Sequence, residues 1–357
     1  MRTAIIGLPM TGKTSLFTIL TGVHEPGRLG QLEARVGVAR VPDPRLDALA
    51  KLFNPPKVTH ATVEYLDFPS ISKEALANAS YLGALRNADS LAHVLRVFTD
   101  ETVPHEKGTV DPVRDAEDVE MELILNDLGV VEKRMERVEK DRKKQKTAEL
   151  DAEYAVLERC KAAIENNQPL RNLELTPDDE KRIRGFQFLS RKPMLYVLNV
   201  GEDDAVRLHE VEREFARGPL GKGAAKAFTG ICGKVEAELA ELSPADAKEF
   251  MANYGIHESG LERMIGSTYK LLGLMSFLTA GETEVRAWTV HTGSKAPVAA
   301  GAIHSDFEKK FIRAEVVNWQ LLIEHHGYPA LKEKGLLRLE GKEYVVKDGD
   351  VLVIRHG

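Results

Sequence analysis

Short apolar runs, punctuated by glycine and charged residues, recur through the first part of the chain. Thr3, Ala4, Ile5 and Ile6 form one that ends at Gly7, and the stretch 14–20 beyond it has helical spacing, so the opening reads strand, loop, helix. Runs at 61–68, 90–98, 193–200 and 225–231 repeat the strand signal, each followed by a helical or loop stretch. That alternation predicts a mostly parallel sheet covered by helices on both faces. Between the runs at 90–98 and 193–200 the period changes. Met121, Leu125, Leu128, Val131, Met135 and Val138 recur at steps of three and four, and Leu150, Tyr154, Leu157 and Ile164 continue the pattern. This predicts a helical hairpin inserted into the sheet domain. From residue 277 the pattern shortens to alternating segments such as 284–290 and 343–354, separated by Gly and Pro, and a small β-rich domain is expected there. The expected organisation is an α/β domain over 1–111 and 190–276, an inserted helical coiled-coil arm over 112–189, and a C-terminal β domain over 277–357.

Charge and composition narrow the partners. The net charge of −6 supplies no global positive field, so any contact with nucleic acid must come from a local patch. One candidate is the arm tip, where Arg134, Arg137, Lys140, Arg142, Lys143, Lys144 and Lys146 could meet a phosphate backbone. The alternative is a solvated face, since Glu136, Glu139 and Asp141 are interspersed. Cys160 and Cys232 stand far apart, without a Cys-x-x-Cys or Cys/His cluster, which argues against a disulfide framework and a structural zinc. No apolar run approaches the ~18 residues of a spanning helix. A cytoplasmic setting without membrane insertion is expected, and no oligomer is required.

The sharpest chemical signal is Gly7-Leu8-Pro9-Met10-Thr11-Gly12-Lys13-Thr14, a Gly-x-x-x-x-Gly-Lys-Thr between the first strand and the first helix. Backbone N–H groups of such a loop, continuing into Ser15, surround a β-phosphate. Lys13 would neutralise β/γ oxygens and the Thr14 hydroxyl would bind Mg²⁺. The chain therefore opens as a Ras-like P-loop nucleotide-binding domain. Asp67, ending the run 61–68, stands where P-loop proteins keep the carboxylate that reaches Mg²⁺. Asn199-Val200-Gly201-Glu202 ends the run 193–200 where guanine-specific proteins carry Asn-Lys-x-Asp, but the Lys is absent and the acid is Glu202. A longer acid is displaced from the guanine edge, whereas the Asn199 amide can address N6 and N7 of adenine. ATP is thus expected over GTP. Cys232-Gly233-Lys234 is positioned either for backbone contacts to the base or as a plain strand-to-helix turn. His304 with Asp306, and the adjacent His325 and His326, lack the spacing of a metal site, and Trp288 and Trp319 read as core.

Together these residues resemble the YchF / Obg-like ATPase family over almost the whole chain. The resemblance rests on the loop motif, on Val41-Pro42-Asp43-Pro44-Arg45-Leu46-Asp47-Ala48-Leu49, on Asn199-Val200-Gly201-Glu202, and on 236–242. Its most specific part is C-terminal: Phe277-Leu278-Thr279-Ala280-Gly281, 284–290 and 304–316 look like the family's TGS domain, a β-grasp module. The resemblance implies a cytosolic ATPase with a coiled-coil arm, associated with the ribosome or its RNA through its arm and TGS domain. It also implies a water-positioning histidine in a mobile loop, a place that His105 matches; an exposed loop histidine is the alternative. Such a residue could orient a water near neutral pH, and slow turnover is expected without an arginine finger or a Ras-type Gln.

Three positions depart from the family pattern. Met10 stands where the family has an Asn linked to potassium, and Met supplies no such oxygen. Gln31 replaces the threonine of the first switch. In the second switch Asp-x-x-Gly becomes Asp67-Phe68-Pro69-Ser70, so the glycine whose N–H senses the γ-phosphate is missing. That change favours an alternative reading, a nucleotide-gated ribosome- or RNA-binding module with negligible hydrolysis; a GTP-binding protein is the third.

Overall fold

The computed structural model describes residues 1–24, 33–145, 147–256 and 258–357, except the side chain of Pro244. Gln31 and Lys146 lie outside the described residues. The strands, in chain order, are β1 (Arg2–Ile6), β2 (Arg35–Arg40), β3 (Val58–Thr59), β4 (Thr62–Asp67), β5 (Ser90–Arg96), β6 (Met194–Asn199), β7 (Lys226–Ile231), β8 (Leu274–Ala280), β9 (Val285–His291), β10 (Phe311–Asn318), β11 (Arg338–Glu340) and β12 (Asp350–His356).

β5 and β6 are buried at every position, the burial pattern of strands covered on both faces. They lie inside a sheet of order β2-β4-β1-β5-β6-β7, in which β4, β1, β5, β6 and β7 run parallel. Its core joins strand residues such as Leu91, Leu95, Tyr196 and Leu198 to helix residues such as Leu85, Val119 and Val211. β2 was not foreseen. Its apolar alternation is inverted, with Val36 and Val38 more than half exposed while Gly37 and Ala39 face inward. Gly37 is required there, because a Cβ would stand 2.5 Å from the Thr21 side chain.

The arm consists of helices Pro112–Lys144 and Ala148–Glu165, capped at their N-termini by Asp111 and Thr147. Val131, Val138, Leu157 and Ile164 are buried between them as the spacing predicts. Leu125 is exposed, and Ile124 takes the inward place. At the arm's base Asp127, fully buried, accepts hydrogen bonds from Leu189 N (2.9 Å), Ser190 N (2.7 Å) and Ser190 Oγ (2.7 Å). Burial pushes its carboxyl up to about 6 despite those bonds.

The second sheet has the order β11-β10-β12-β8-β9-β3. An antiparallel β8–β9 hairpin, β12 parallel to β8, β10 antiparallel to β12 and a helix Ala296–Ile303 packed on β9 and β10 make a β-grasp unit. Trp288 packs on its core, with Nε1 bonded to Thr279 Oγ1 at 2.9 Å. The chain divides into one unit of Met1–Val38 with Glu64–Leu271 and another of Ala39–Val63 with Leu272–Gly357. Residues 39–63, expected in the first domain, therefore belong with the C-terminal residues. Within that unit β3 pairs parallel to β9, and Arg45 bridges to Asp348 at 2.8 Å. The sequence gives no signal for this, because a two-residue strand has no period.

Candidate functional site

Parallel register brings the chemistry to one edge. Ile5 pairs with Asp67, Ile6 with His93, Arg96 with Asn199 and Asn199 with Ile231, so the loops after these strands all leave from the carboxyl side of the sheet. The loop after β1 is held tightly. Gly7 has φ +147°, and a Cβ there would come within 2.6 Å of the Val94 carbonyl oxygen; Gly12 has φ +91°, and its Cβ would meet Asn199 Nδ2 at 2.5 Å. Thr11 is buried and donates to Leu8 O at 3.1 Å. Pro9, Met10, Thr14 and Ser15 are exposed, leaving an open face, and Met10 itself takes the left-handed φ of 58°. Helix Lys13–Thr21 starts without a side-chain cap and without an acid in its first turn, which leaves its N-terminal N–H groups for an anion.

Lys13 is only 7% exposed, and its ammonium donates to Leu8 O at 2.8 Å and to Ser70 Oγ at 3.2 Å. Burial lowers its pKa to about 8, against the pull of Asp67. Thr14 Oγ1 donates to Asp67 Oδ2 at 3.3 Å, and the same oxygen accepts from the Arg35 guanidinium. Asp67 Oδ1 is buried without a hydrogen-bond partner. One carboxylate with a free oxygen beside one hydroxyl is a donor set that suits magnesium, which takes its remaining ligands from phosphate and water. No cluster of three or more His, Cys, Asp or Glu suited to a metal occurs among the described residues.

On the side expected to face the base, Asn199 has its amide engaged by backbone. It is 8% exposed; Nδ2 donates to Thr11 O at 3.0 Å and Oδ1 accepts from Gly233 N at 3.0 Å. The side chain thus ties the phosphate loop to the turn after β7, and the Gly233 N–H is spent on it. Val200 and Cys232 bury their side chains in the core. Glu202 pairs with Lys234 at 3.2 Å, both exposed.

His105 is withdrawn rather than exposed. Its ring lies with Nε2 at 2.8 Å from Asp115 Oδ2, and Nδ1 accepts from Lys107 N at 3.1 Å. An accepting Nδ1 fixes the tautomer, with the proton on Nε2. Arg96, 2% exposed and passed over in the sequence, organises the loop leading to it. Its guanidinium donates to the carbonyls of Phe98, Asp100, Val103 and Pro104. His93 was also passed over. It lies beneath Gly7 with neither ring nitrogen bonded, and burial, reinforced by Lys13 and Arg171, pushes it down to about 3, so it is neutral. Neither residue carries a motif.

Two of the arm's basic residues are spoken for: Arg134 pairs with Glu153 at 2.6 Å, and Arg142 with Asp151 at 2.8 Å while lying over the Tyr154 ring. They stitch the two helices together. Arg137, Lys140, Lys143 and Lys144 remain exposed.

A phosphate loop after the first strand, an aspartate at the end of β4 and an Asn tie from β6 define a P-loop nucleoside triphosphatase fold with an inserted helical arm. Residues 274–357 match the YchF-GTPase_C family, described as "Protein of unknown function (DUF933)". Over 98% of this chain and 98% of the relative, it is 41% identical to the ribosome-binding ATPase YchF of Bacillus subtilis. It is 40% identical to that of Escherichia coli O157:H7, over 98% and 97%. A solved structure, the YchF GTPase of Schizosaccharomyces pombe, superposes with a TM-score of 0.84 at 28% identity, covering 99% of this chain and 97% of that one. The chain belongs to the YchF family. No helix among the described residues is long and apolar enough to cross a membrane.

Proposed function

We propose that this chain binds ATP in preference to GTP, hydrolyses it slowly in the cytoplasm, and does so in association with the ribosome. The observation that carries the reading is the meeting of Lys13, Thr14 and Asp67 at the head of an uncapped helix. Lys13 would hold the β- and γ-phosphates, with Thr14 and Asp67 as the magnesium ligands. Magnesium bound there would neutralise phosphate charge. The adenine preference is supported by Glu202, an acid one methylene longer than the aspartate that pairs with the two guanine N–H donors, with one carboxylate oxygen already on Lys234. Asn199 contributes by fixing the loop.

Slow basal turnover follows from His105. Its one lone-pair nitrogen already accepts from Lys107 N, so the ring can take no proton from water until the loop is released. Ribosomal engagement, the activity in the names of the bacterial relatives, is the event expected to release it. The exposed Arg137, Lys140, Lys143 and Lys144 of the arm, together with the β-grasp unit, are the surfaces assigned to RNA. Single-turnover hydrolysis of Mg·ATP and Mg·GTP, by the parent and His105→Ala, with and without ribosomes, tests the reading. ATP hydrolysis that accelerates on ribosomes only when His105 is present is expected. ATP that binds yet survives every condition would leave instead a nucleotide-gated binding module, a reading favoured by Ser70 in place of a glycine. Salt-dependent co-sedimentation with ribosomes should weaken when the four arm residues are neutralised, and unchanged binding would remove the arm from the interface.

A further inference from the structure

We infer that Ser70 sets the discrimination between nucleoside tri- and diphosphates, by occupying with its hydroxyl the Lys13 donor that a γ-phosphate needs. This rests on the reading of the loop as a triphosphate site. An ammonium has three donors. One is held by Leu8 O at 2.8 Å and one by Ser70 Oγ at 3.2 Å, which leaves a single N–H for the ligand. Because Lys13 is 7% exposed, bulk water does not replace a lost partner freely.

A diphosphate offers its β-oxygen to the remaining donor and leaves Ser70 in place. A triphosphate also brings γ-oxygens to Lys13 and must dislodge the Ser70 hydroxyl. The displacement is felt by the chain on both sides of Ser70. On one side of Ser70 the chain is anchored, with Phe68 packed edge-on to the Tyr81 ring (centroids 5.1 Å) and Tyr81 Oη donating to Pro69 O at 3.0 Å. On the other side lies the short helix Lys73–Ala77, started by Ser72 Oγ accepting from Ala75 N at 3.1 Å. Ile71, Ala75 and Leu76 are buried in the sheet core, so moving Ser70 away from Lys13 strains the packing of residues 71–77 and loosens it. The side-chain hydroxyl thus performs from the protein side the sensing that a glycine N–H would perform on the phosphate.

The test is equilibrium binding of a non-hydrolysable ATP analogue and of ADP to the full chain with magnesium, for the parent, Ser70→Ala and Ser70→Thr. Amide hydrogen exchange over 68–77 is followed in the parent with each nucleotide. Ser70→Ala is expected to raise the triphosphate-to-diphosphate affinity ratio roughly tenfold, the worth of one hydrogen bond to a charged group, and Ser70→Thr to keep the parental ratio. Exchange in the parent should quicken with the triphosphate and not with ADP. A ratio unchanged within about twofold in Ser70→Ala, or identical exchange with both nucleotides, overturns the role of Ser70 while leaving the phosphate site standing. A parent that binds neither nucleotide overturns both.

Discussion

Replacing Asn199 by Ala separates two jobs that the same amide could do. In the structure the side chain donates to Thr11 O and accepts from Gly233 N, both at 3.0 Å. Losing it removes two hydrogen bonds of about 1 kcal/mol each, and leaves the carbonyl of Thr11, a residue 2% exposed, without that donor, at a further ~1–3 kcal/mol. Gly233 is half-buried and recovers part of its share from water. A destabilisation of about 2–4 kcal/mol is expected in the nucleotide-free protein, read as a fall in the urea midpoint by far-UV circular dichroism. Because the tie shapes the loop and not the base pocket, ATP and GTP affinities should fall together, with their ratio unchanged within about twofold. Asn199→Asp should do no better, since it keeps the acceptor for Gly233 N but turns a carboxylate oxygen toward the Thr11 carbonyl. A stable Asn199→Ala protein whose ATP-to-GTP ratio collapses would refute the argument and return Asn199 to the base.

Three further outcomes are expected. Asp127 has a folded pKa raised to about 6 from 3.8, so the native state holds a proton that the unfolded chain has lost between those values. Stability should therefore fall as pH rises from about 4 to 6, by about 3 kcal/mol, and a urea titration of Asp127→Asn should lack that slope. Lys107→Pro removes the N–H that His105 Nδ1 accepts and frees the ring's lone pair; basal single-turnover ATP hydrolysis should rise several-fold, and the gain should vanish when His105→Ala is added. Arg35→Ala takes the guanidinium off Asp67 Oδ2, so half-maximal binding of a fluorescent ATP analogue should need several-fold less magnesium; an unchanged magnesium titration would count against Asp67 as the metal ligand.

What could be read from the sequence was whatever depends on neighbours along the chain. The loop motif, the parallel strands and the arm each announce themselves through local spacing, because a phosphate cradle, a doubly covered strand and a helical seam impose their own periods. Partners across the fold are not written that way. Asn199 stands 188 residues from Thr11, and nothing in Asn-Val-Gly-Glu says that its amide is spent on backbone rather than left for a base. Arg96 and His93 sit in a strand that reads simply as apolar, and their buried polar atoms become visible only with the loops around them in place. β2 shows the sharper failure. Its valines alternate as an amphipathic strand should, yet the inward face belongs to Gly37 and Ala39, and at Gly37 the Thr21 side chain leaves no room even for a Cβ. Steric exclusion by one side chain overrode the preference of valine for the interior, and Arg35, at the start of that strand, was overlooked with it. The residue set against Asp67, the carboxylate proposed for the metal, was therefore the one for which local pattern offered least warning.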